Sequence, residues 1–307
     1  DSTLQSAKRT APAMTLPVLE AEPVLACKNR LGEGPIWSVE EQALYWVDIV
    51  APAIHRYRPA DGAHDQWSMP EQLGSLSMRA AGGLVIALKS GFALFDLASG
   101  AVEMIAKAEA DKLDNRFNDG RCDREGRFFA GSLTYSEDSN VGSLWRLDRD
   151  RRATAVLNGI TISNGLCWSP DGTTMYHVDT PTRTIRAFDY DQDEGVPSNP
   201  RVLVETDAEG GWPDGSITDS EGCIWNAEWD GARVVRYTPE GKVDRVVKVP
   251  AKRATCAAFG GPDLKTLYIT SAWDRMARDE RDAWPHSGDL FAVEVDVPGL
   301  PDPRYAG

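Results

Sequence analysis

Apolar strands of one recurring type punctuate the chain six times: LYWVDI at 44–49, LVIALK at 84–89, RFFAGS at 127–132, MYHVDT at 175–180, CIWNAEW at 223–229 and LYITSA at 267–272. After each comes a turn and an alternating strand: IHRYRP (54–59), FALFDLA (92–98), GSLWRLD (142–148), TIRAFDY (184–190), RVVRYTP (233–239) and DLFAVEV (289–295). Five of the six groups add a further strand: QWSMP (66–70), VEMIAKA (102–108), ATAVLN (153–158), RVLVET (201–206) and VDRVVKV (243–249). Asp-Gly, Glu-Gly and Ser-Gly pairs mark the turns between them. The sixth group lacks this strand, because the chain ends in PGLPDPRYAG, and LPVLEAEPVLA at 16–26 is the candidate to supply it. Helical periodicity is almost absent, with short helices expected only at 106–112 and 279–283.

Leu44, Val85, Phe129, Met175, Trp225 and Leu267 occupy equivalent places in the six strands. Eleven residues before them stand Glu33, Gly74, Asn118, Asn164, Asp214 and Cys256, at gaps of 41 to 50 residues. That spacing is the length of one four-stranded propeller blade. The expected fold is all-β: a six-bladed β-propeller with four-stranded antiparallel blades, occupying 16–307 as a single domain. Its N-terminal strand closes the last blade, which removes an exposed sheet edge. Residues 1–15 are expected to form a flexible arm and lack the apolar run of a signal peptide.

In such a ring the six positions lie at one level around the central axis, and four of them carry a side-chain oxygen suited to a hard cation. Glu33-Gly34, Asn164-Gly165 and Asp214-Gly215 each place a glycine directly after the donor, which permits the close backbone approach of a crowded axis. One such dipeptide reads as an ordinary turn; three in the same register read as a site. Two carboxylates balance a divalent charge, and the oxygen-only set favours Ca²⁺, with Zn²⁺, Mn²⁺ or Mg²⁺ as alternatives. Four protein oxygens leave coordination positions for water and substrate, unlike a closed structural site. Cys256 stands as a further candidate donor. Arg116 and Trp212, each two residues before a register position, should face the channel as well, while Asp119 points into blade packing. An arginine beside a cation site suits substrate hydroxyls or developing negative charge, and a tryptophan suits the C–H face of a sugar.

The net charge of −14 argues against nucleic acid or an anionic membrane surface, both of which call for basic patches. Five widely spaced cysteines without a C-x-x-C pair fit a reducing compartment, so the expected location is cytoplasmic. No apolar stretch approaches the length of a membrane helix. The chain carries no G-x-S-x-G, H-E-x-x-H, P-loop or dinucleotide fingerprint. Its four histidines fall outside the register, with His177, in the middle of a strand, the one to test against a structure. A monomer or weak homo-oligomer acting on a small molecule is the expectation.

The stretches LGEGPIW (31–37), NRFNDGRCDREGRFFAGS (115–132), SNGLCWSPDGTTMYHVD (163–179), PDGSITDSEGCIW (213–225) and FGGPDLKTLYITSA (259–272) resemble the family of senescence marker protein 30, gluconolactonases and related bacterial sugar lactonases. The resemblance spans about residues 24 to 296. It implies metal ligands at Glu33, Asn164 and Asp214, substrate contacts at Arg116 and Asn118, and a general base at Asp214. It thereby moves Asn118 toward the substrate relative to the register reading. Several relatives carry an acidic substrate contact a few residues after a G-[ST]-M segment. Here the chain reads GSLTYSED, which puts Ser136 or Glu137 at that place, with Glu137 the acidic choice. The implied reaction is metal-dependent hydrolysis of a sugar-acid lactone to the aldonic acid. The alternatives are a calcium-dependent phosphotriesterase or arylesterase, and a calcium-binding propeller without catalysis.

Overall fold

The computed structural model describes residues 15–307, so the expected arm at 1–15 falls outside the described residues apart from Thr15. Six antiparallel sheets follow one another along the chain. Blade 1 comprises Gly32–Ser38, Ala43–Asp48, Ala53–Arg58 and Ala63–Ser68; blade 2, Leu73–Met78, Leu84–Leu88, Gly91–Phe95 and Val102–Lys107. Blade 3 comprises Asn115–Cys122, Phe128–Thr134, Gly142–Leu147 and Ala153–Ile160; blade 4, Ser163–Trp168, Thr174–Asp179, Thr184–Asp191 and Val196–Glu205. Blade 5 holds Trp212–Thr218, Ile224–Trp229, Arg233–Tyr237 and Val243–Lys248; blade 6 holds Arg253–Gly260, Thr266–Ala272 and Leu290–Glu294. The first strands of successive blades pack on one another and surround the axis. This is the expected six-bladed propeller.

Burial grades outward and explains the sequence pattern. First strands such as Gly32–Ser38 and Asn115–Cys122 are buried at every residue, whereas the fourth strand Ala63–Ser68 alternates half-buried and exposed. Inner strands have blade neighbours on both faces, and outer strands meet water on one. Aromatic residues fill the wedges between sheets; Trp37 of blade 1, for example, stacks on Tyr268 of blade 6 at 5.6 Å and 10°.

The segment 16–26 closes the ring but is divided. Glu22–Leu25 pairs antiparallel with Leu290–Glu294 and completes blade 6. Val18–Glu20 instead pairs in parallel with Val243–Lys248, giving blade 5 a fifth strand. The switch occurs at Ala21, which is buried and donates its N–H to Lys248 O at 2.9 Å. Small and apolar, it sits in the cluster that joins blades 5, 6 and 1.

The helix expected at 106–112 does not form. Ala106 and Lys107 continue a strand opposite Phe92 and Gly91, where sheet pairing overrides their helix propensity. The second expected helix is present as Arg278–Ala283, and Thr180–Thr182 adds a single 3₁₀ turn. Among the described residues no helix is long and apolar enough to cross a membrane. All five cysteines are free.

Residues 295–307, unpatterned in the sequence, cross one end of the ring. Asp302 accepts the Trp37 N–H at 3.0 Å and pairs with Arg121 Nη1 at 2.7 Å, both side chains under one-tenth exposed. Tyr305 is fully buried, takes the Met78 carbonyl with its N–H and donates its hydroxyl to Asp148 O. Removing one partner of a buried pair leaves the other charge desolvated and unmatched. Asp302→Ala is therefore expected to lower unfolding stability by roughly 3–5 kcal/mol. Denaturant unfolding would measure it, and a loss under about 1 kcal/mol, the value of an exposed pair, would contradict the account.

Candidate active site

Each innermost strand contains one more residue than its partner, always around the register position. The shift falls at Glu33/Ile36 in blade 1, Leu73/Ser75 in blade 2 and Phe117/Gly120 in blade 3. It recurs at Asn164/Cys167, Pro213/Ser216 and Ala254/Cys256. A β-bulge bends the strand and re-aims the side chain beside it. Gly34 and Gly165, with φ of 54° and 61°, take the left-handed conformation that this bend requires at Glu33 and Asn164. At the blade 2 position, a Cβ on Gly74 would lie 2.4 Å from Asn118 O, so a side chain there is sterically excluded by the next blade.

Glu33, Arg116, Asn118, Glu137, Asn164, Trp212 and Asp214 all line one cavity of about 580 Å³. It opens at the N-terminal ends of the first strands, whereas the tail at 295–307 contacts their C-terminal ends. Cys256 does not line it. The thiol packs beside Gly215, where an added Cβ would be 2.4 Å from Sγ, and burial pushes its pKa well above the ordinary value. Asp119 also points away, accepting the Leu166 N–H of blade 4 at 2.8 Å.

A hydrogen-bond relay runs across three blades at the cavity floor. Arg116 Nη1 donates to Asn118 Oδ1 at 2.8 Å, and Asn118 Nδ2 donates to Asn164 Oδ1 at 2.8 Å and to Ser163 O at 2.9 Å. Asn164 Nδ2 then donates to Thr180 Oγ1 at 2.8 Å, and that hydroxyl donates to Pro213 O at 2.9 Å. The relay fixes both amide orientations, because Arg116 can only donate. Asn118 Oδ1 accepts from Arg116 and Asn164 Oδ1 accepts from Asn118, so each amide oxygen uses one of its two lone pairs.

Glu33 and Asp214 are both buried and within hydrogen-bonding reach of each other. Burial, with the charge of Asp119 second, pushes Glu33 up to about 8, against the Gly34 N–H that donates to its Oε2 at 2.9 Å. Burial and then the charge of Glu33 push Asp214 well above the usual carboxylate range. Both shifts favour the protonated form of the pair, and a cation between the carboxylates would favour the charged form. Among the described residues no three Asp, Glu, His or Cys side chains converge, so further protein oxygens would come from the Asn118 and Asn164 amides, the Thr180 hydroxyl or the backbone. Asn118 Oδ1 and Asn164 Oδ1 each keep one lone pair that the relay does not use. An all-oxygen donor set with two negative charges fits a hard divalent cation.

Arg116 is 7% exposed and has no carboxylate within 4 Å among the described residues; the pairing with Asp114 or Asp119 that its sequence position allows does not occur. Burial lowers its pKa. Trp212 is not a core residue: it is 38% exposed at the mouth, with the Arg183 guanidinium 3.6 Å from its ring centroid. Glu137 faces the cavity, whereas the Ser136 hydroxyl turns to Asp138. His177 bonds Ser163 Oγ through Nε2 at 2.8 Å, and burial pushes its pKa down to about 3, so it is a neutral packing group outside the cavity. Thr180, Arg253, Asp274 and Arg275 line the cavity without having been singled out from sequence. Thr180 ends the MYHVDT strand. Asp274 and Arg275 belong to the connection at 273–289, longer than any other between second and third strands, which marks it in the sequence as a functional loop.

Residues 31–273 match the family described as the SMP-30/Gluconolactonase/LRE-like region. The 6-deoxy-6-sulfogluconolactonase of Pseudomonas putida is 44% identical over 278 residues, covering 90% of this chain and 95% of that protein. Regucalcin of Xenopus laevis is 36% identical over 296 residues, covering 94% and 99%. The crystal structure of the calcium-binding protein regucalcin from Agrobacterium tumefaciens superposes with a TM-score of 0.90 at 31% identity, covering 94% and 98%. The chain belongs to the SMP-30/gluconolactonase/LRE-like family.

Proposed function

We propose that this protein is a divalent-metal-dependent lactonase that opens a sugar-acid lactone to its aldonic acid, with Ca²⁺ as the first choice of metal. Lactone hydrolysis is supported by the 6-deoxy-6-sulfogluconolactonase relative, and calcium by the regucalcin relative described as calcium-binding. The observation that carries the reading is the facing of Glu33 and Asp214 beside Asn164 and an unpaired Arg116 in one open cavity. Glu33, Asn164 and Asp214 would hold the cation, which when bound supplies Lewis acidity to the lactone carbonyl or its attacking water.

The remaining work falls to the side chains. Arg116 donates to the oxygens of the bound sugar and stabilises negative charge that grows as the carbonyl is attacked. Asn118 positions that guanidinium through its Oδ1 and faces the same substrate. Trp212 and Glu137 at the mouth meet the ring's C–H face and a hydroxyl. Asp214 orients the water and receives its proton as the C–O bond forms. The ring C–O bond then breaks, and the proton passes to the leaving alkoxide to give the hydroxy acid.

Asp214→Asn is expected to lower kcat for glucono-1,5-lactone by at least about 10³-fold, reading acid release with a pH indicator. Turnover within tenfold of the unaltered protein would remove Asp214 from the mechanism. A second expectation concerns the shared proton. Since the folded-state values lie above the unfolded range, its stabilising contribution is complete near pH 4 and disappears as pH rises to about 8. The chelated protein should therefore lose Tm over that window, and calcium should restore more at pH 8 than at pH 5. At about pH 6.5, calcium titrated into chelated protein should expel about one proton, read by calorimetry in two buffers of different ionisation enthalpy. Identical heats in both buffers would mean that the pair holds no proton to displace.

A further inference from the structure

Asp119 is 3% exposed, and among the described residues no cationic side chain lies within 4 Å of it. Arg121, two residues along the same strand, gives Nη1 to Asp302 at 2.7 Å instead. Backbone groups hold Asp119 in place. Its Oδ2 accepts the Leu166 N–H at 2.8 Å, and the amides of Gly165 and Gly120 also face it. Gly165 and Leu166 form the blade 4 bulge that follows Asn164, and a Cβ on Gly165 would lie 3.2 Å from Asp214 O. The carboxylate is thus fixed beneath the cavity floor, where blade 3 meets blade 4. It does not line the cavity, yet its negative charge reaches both Glu33 and Asp214. A charge buried without an ion pair is costly, and such charges in proteins are paired or face a metal.

The charged side chains that line the cavity can be matched one by one. Arg275 lies 3.2 Å from Glu137, Arg253 lies 2.8 Å from Asp230, and Asp274 lies 2.6 Å from Arg30. With Arg121 matched by Asp302, the groups left over are Glu33, Asp214 and Asp119 on one side and Arg116 on the other. Three negative charges then face one positive charge, and a divalent cation makes up the difference. We propose, resting on the metal-dependent reading above, that Asp119 sets the affinity of this site for a divalent cation without touching it, by supplying the third negative charge. Attraction between charges scales with their product and is strong where water is excluded. The Leu166 amide fixes where that charge sits, and the bulge it grips is the one that presents Asn164. Asp119 is therefore a positioning residue for the ion, not a ligand.

The test titrates Ca²⁺, and separately La³⁺, into the metal-stripped full-length protein and into Asp119→Asn, with calorimetry as the readout. Asparagine keeps an oxygen for the Leu166 N–H and removes the charge. Asp119→Ser, smaller and equally uncharged, repeats the measurement should asparagine not be accommodated. Kd for Ca²⁺ is expected to rise at least about tenfold, and for La³⁺ about thirtyfold, because the lost attraction grows with the charge of the ion. An equal loss for both ions would mean that the substitution only distorts the ligands. A Kd for Ca²⁺ within about twofold of the unaltered protein would make Asp119 a packing group. Either result overturns the proposal and leaves the metal-dependent reading standing. An unaltered protein that binds neither ion overturns that reading and this proposal with it.

Discussion

Closure of the ring is the constraint on which this site depends. Glu33 belongs to the first blade and Asp214 to the fifth, yet their carboxylates are within reach of a shared proton. Blade 6 must lock between blades 5 and 1 for that to happen. Backbone pairing of Glu22–Leu25 with Leu290–Glu294 and the stacking of Trp37 on Tyr268 provide the lock. The cluster that joins blades 5, 6 and 1 contains more buried residues than any other, which places strong packing where the polymer ends must meet. The tail at 295–307 adds a second brace, tying blades 1, 2, 3 and 5 at the end away from the cavity.

Within the closed ring, repeated bulges turn a structural repeat into a chemical centre. An unbroken strand would pack every second side chain against the next blade. The extra residue at each register position bends the strand there, and four blades use that place for an oxygen-bearing side chain. The other two use it for packing: Gly74 admits the Asn118 backbone, and Cys256 fills the space beside Gly215. Electrostatics complete the design. Burial and mutual repulsion raise the pKa of both carboxylates, and the Arg116–Asn118–Asn164 hydrogen bonds orient the neighbouring groups.

How much of this was legible in the chain follows from which physical signals are local. Strand periodicity, blade length and the eleven-residue register are local patterns, and they placed Glu33, Asn118, Asn164 and Asp214 at equivalent points before any coordinates. The register alone could not separate Cys256 from its oxygen-bearing counterparts, because the deciding contact comes from Gly215 in another blade. The 106–112 stretch misled for the same reason: its helix propensity is local, but its pairing with Gly91 and Phe92 is not.

By itself the sequence determined the all-β repeat, its six units and the shared register of Glu33, Asn118, Asn164 and Asp214. Alternation and spacing are written along a strand and need no knowledge of its neighbours. Only the tertiary structure decided the division of residues 16–26 between two blades, the use of the tail as a brace and the reach of Arg275 across to Glu137. Each of these is a contact between segments whose sequence separation carries no periodic signal. Their geometry exists only once the six sheets have closed around a common axis.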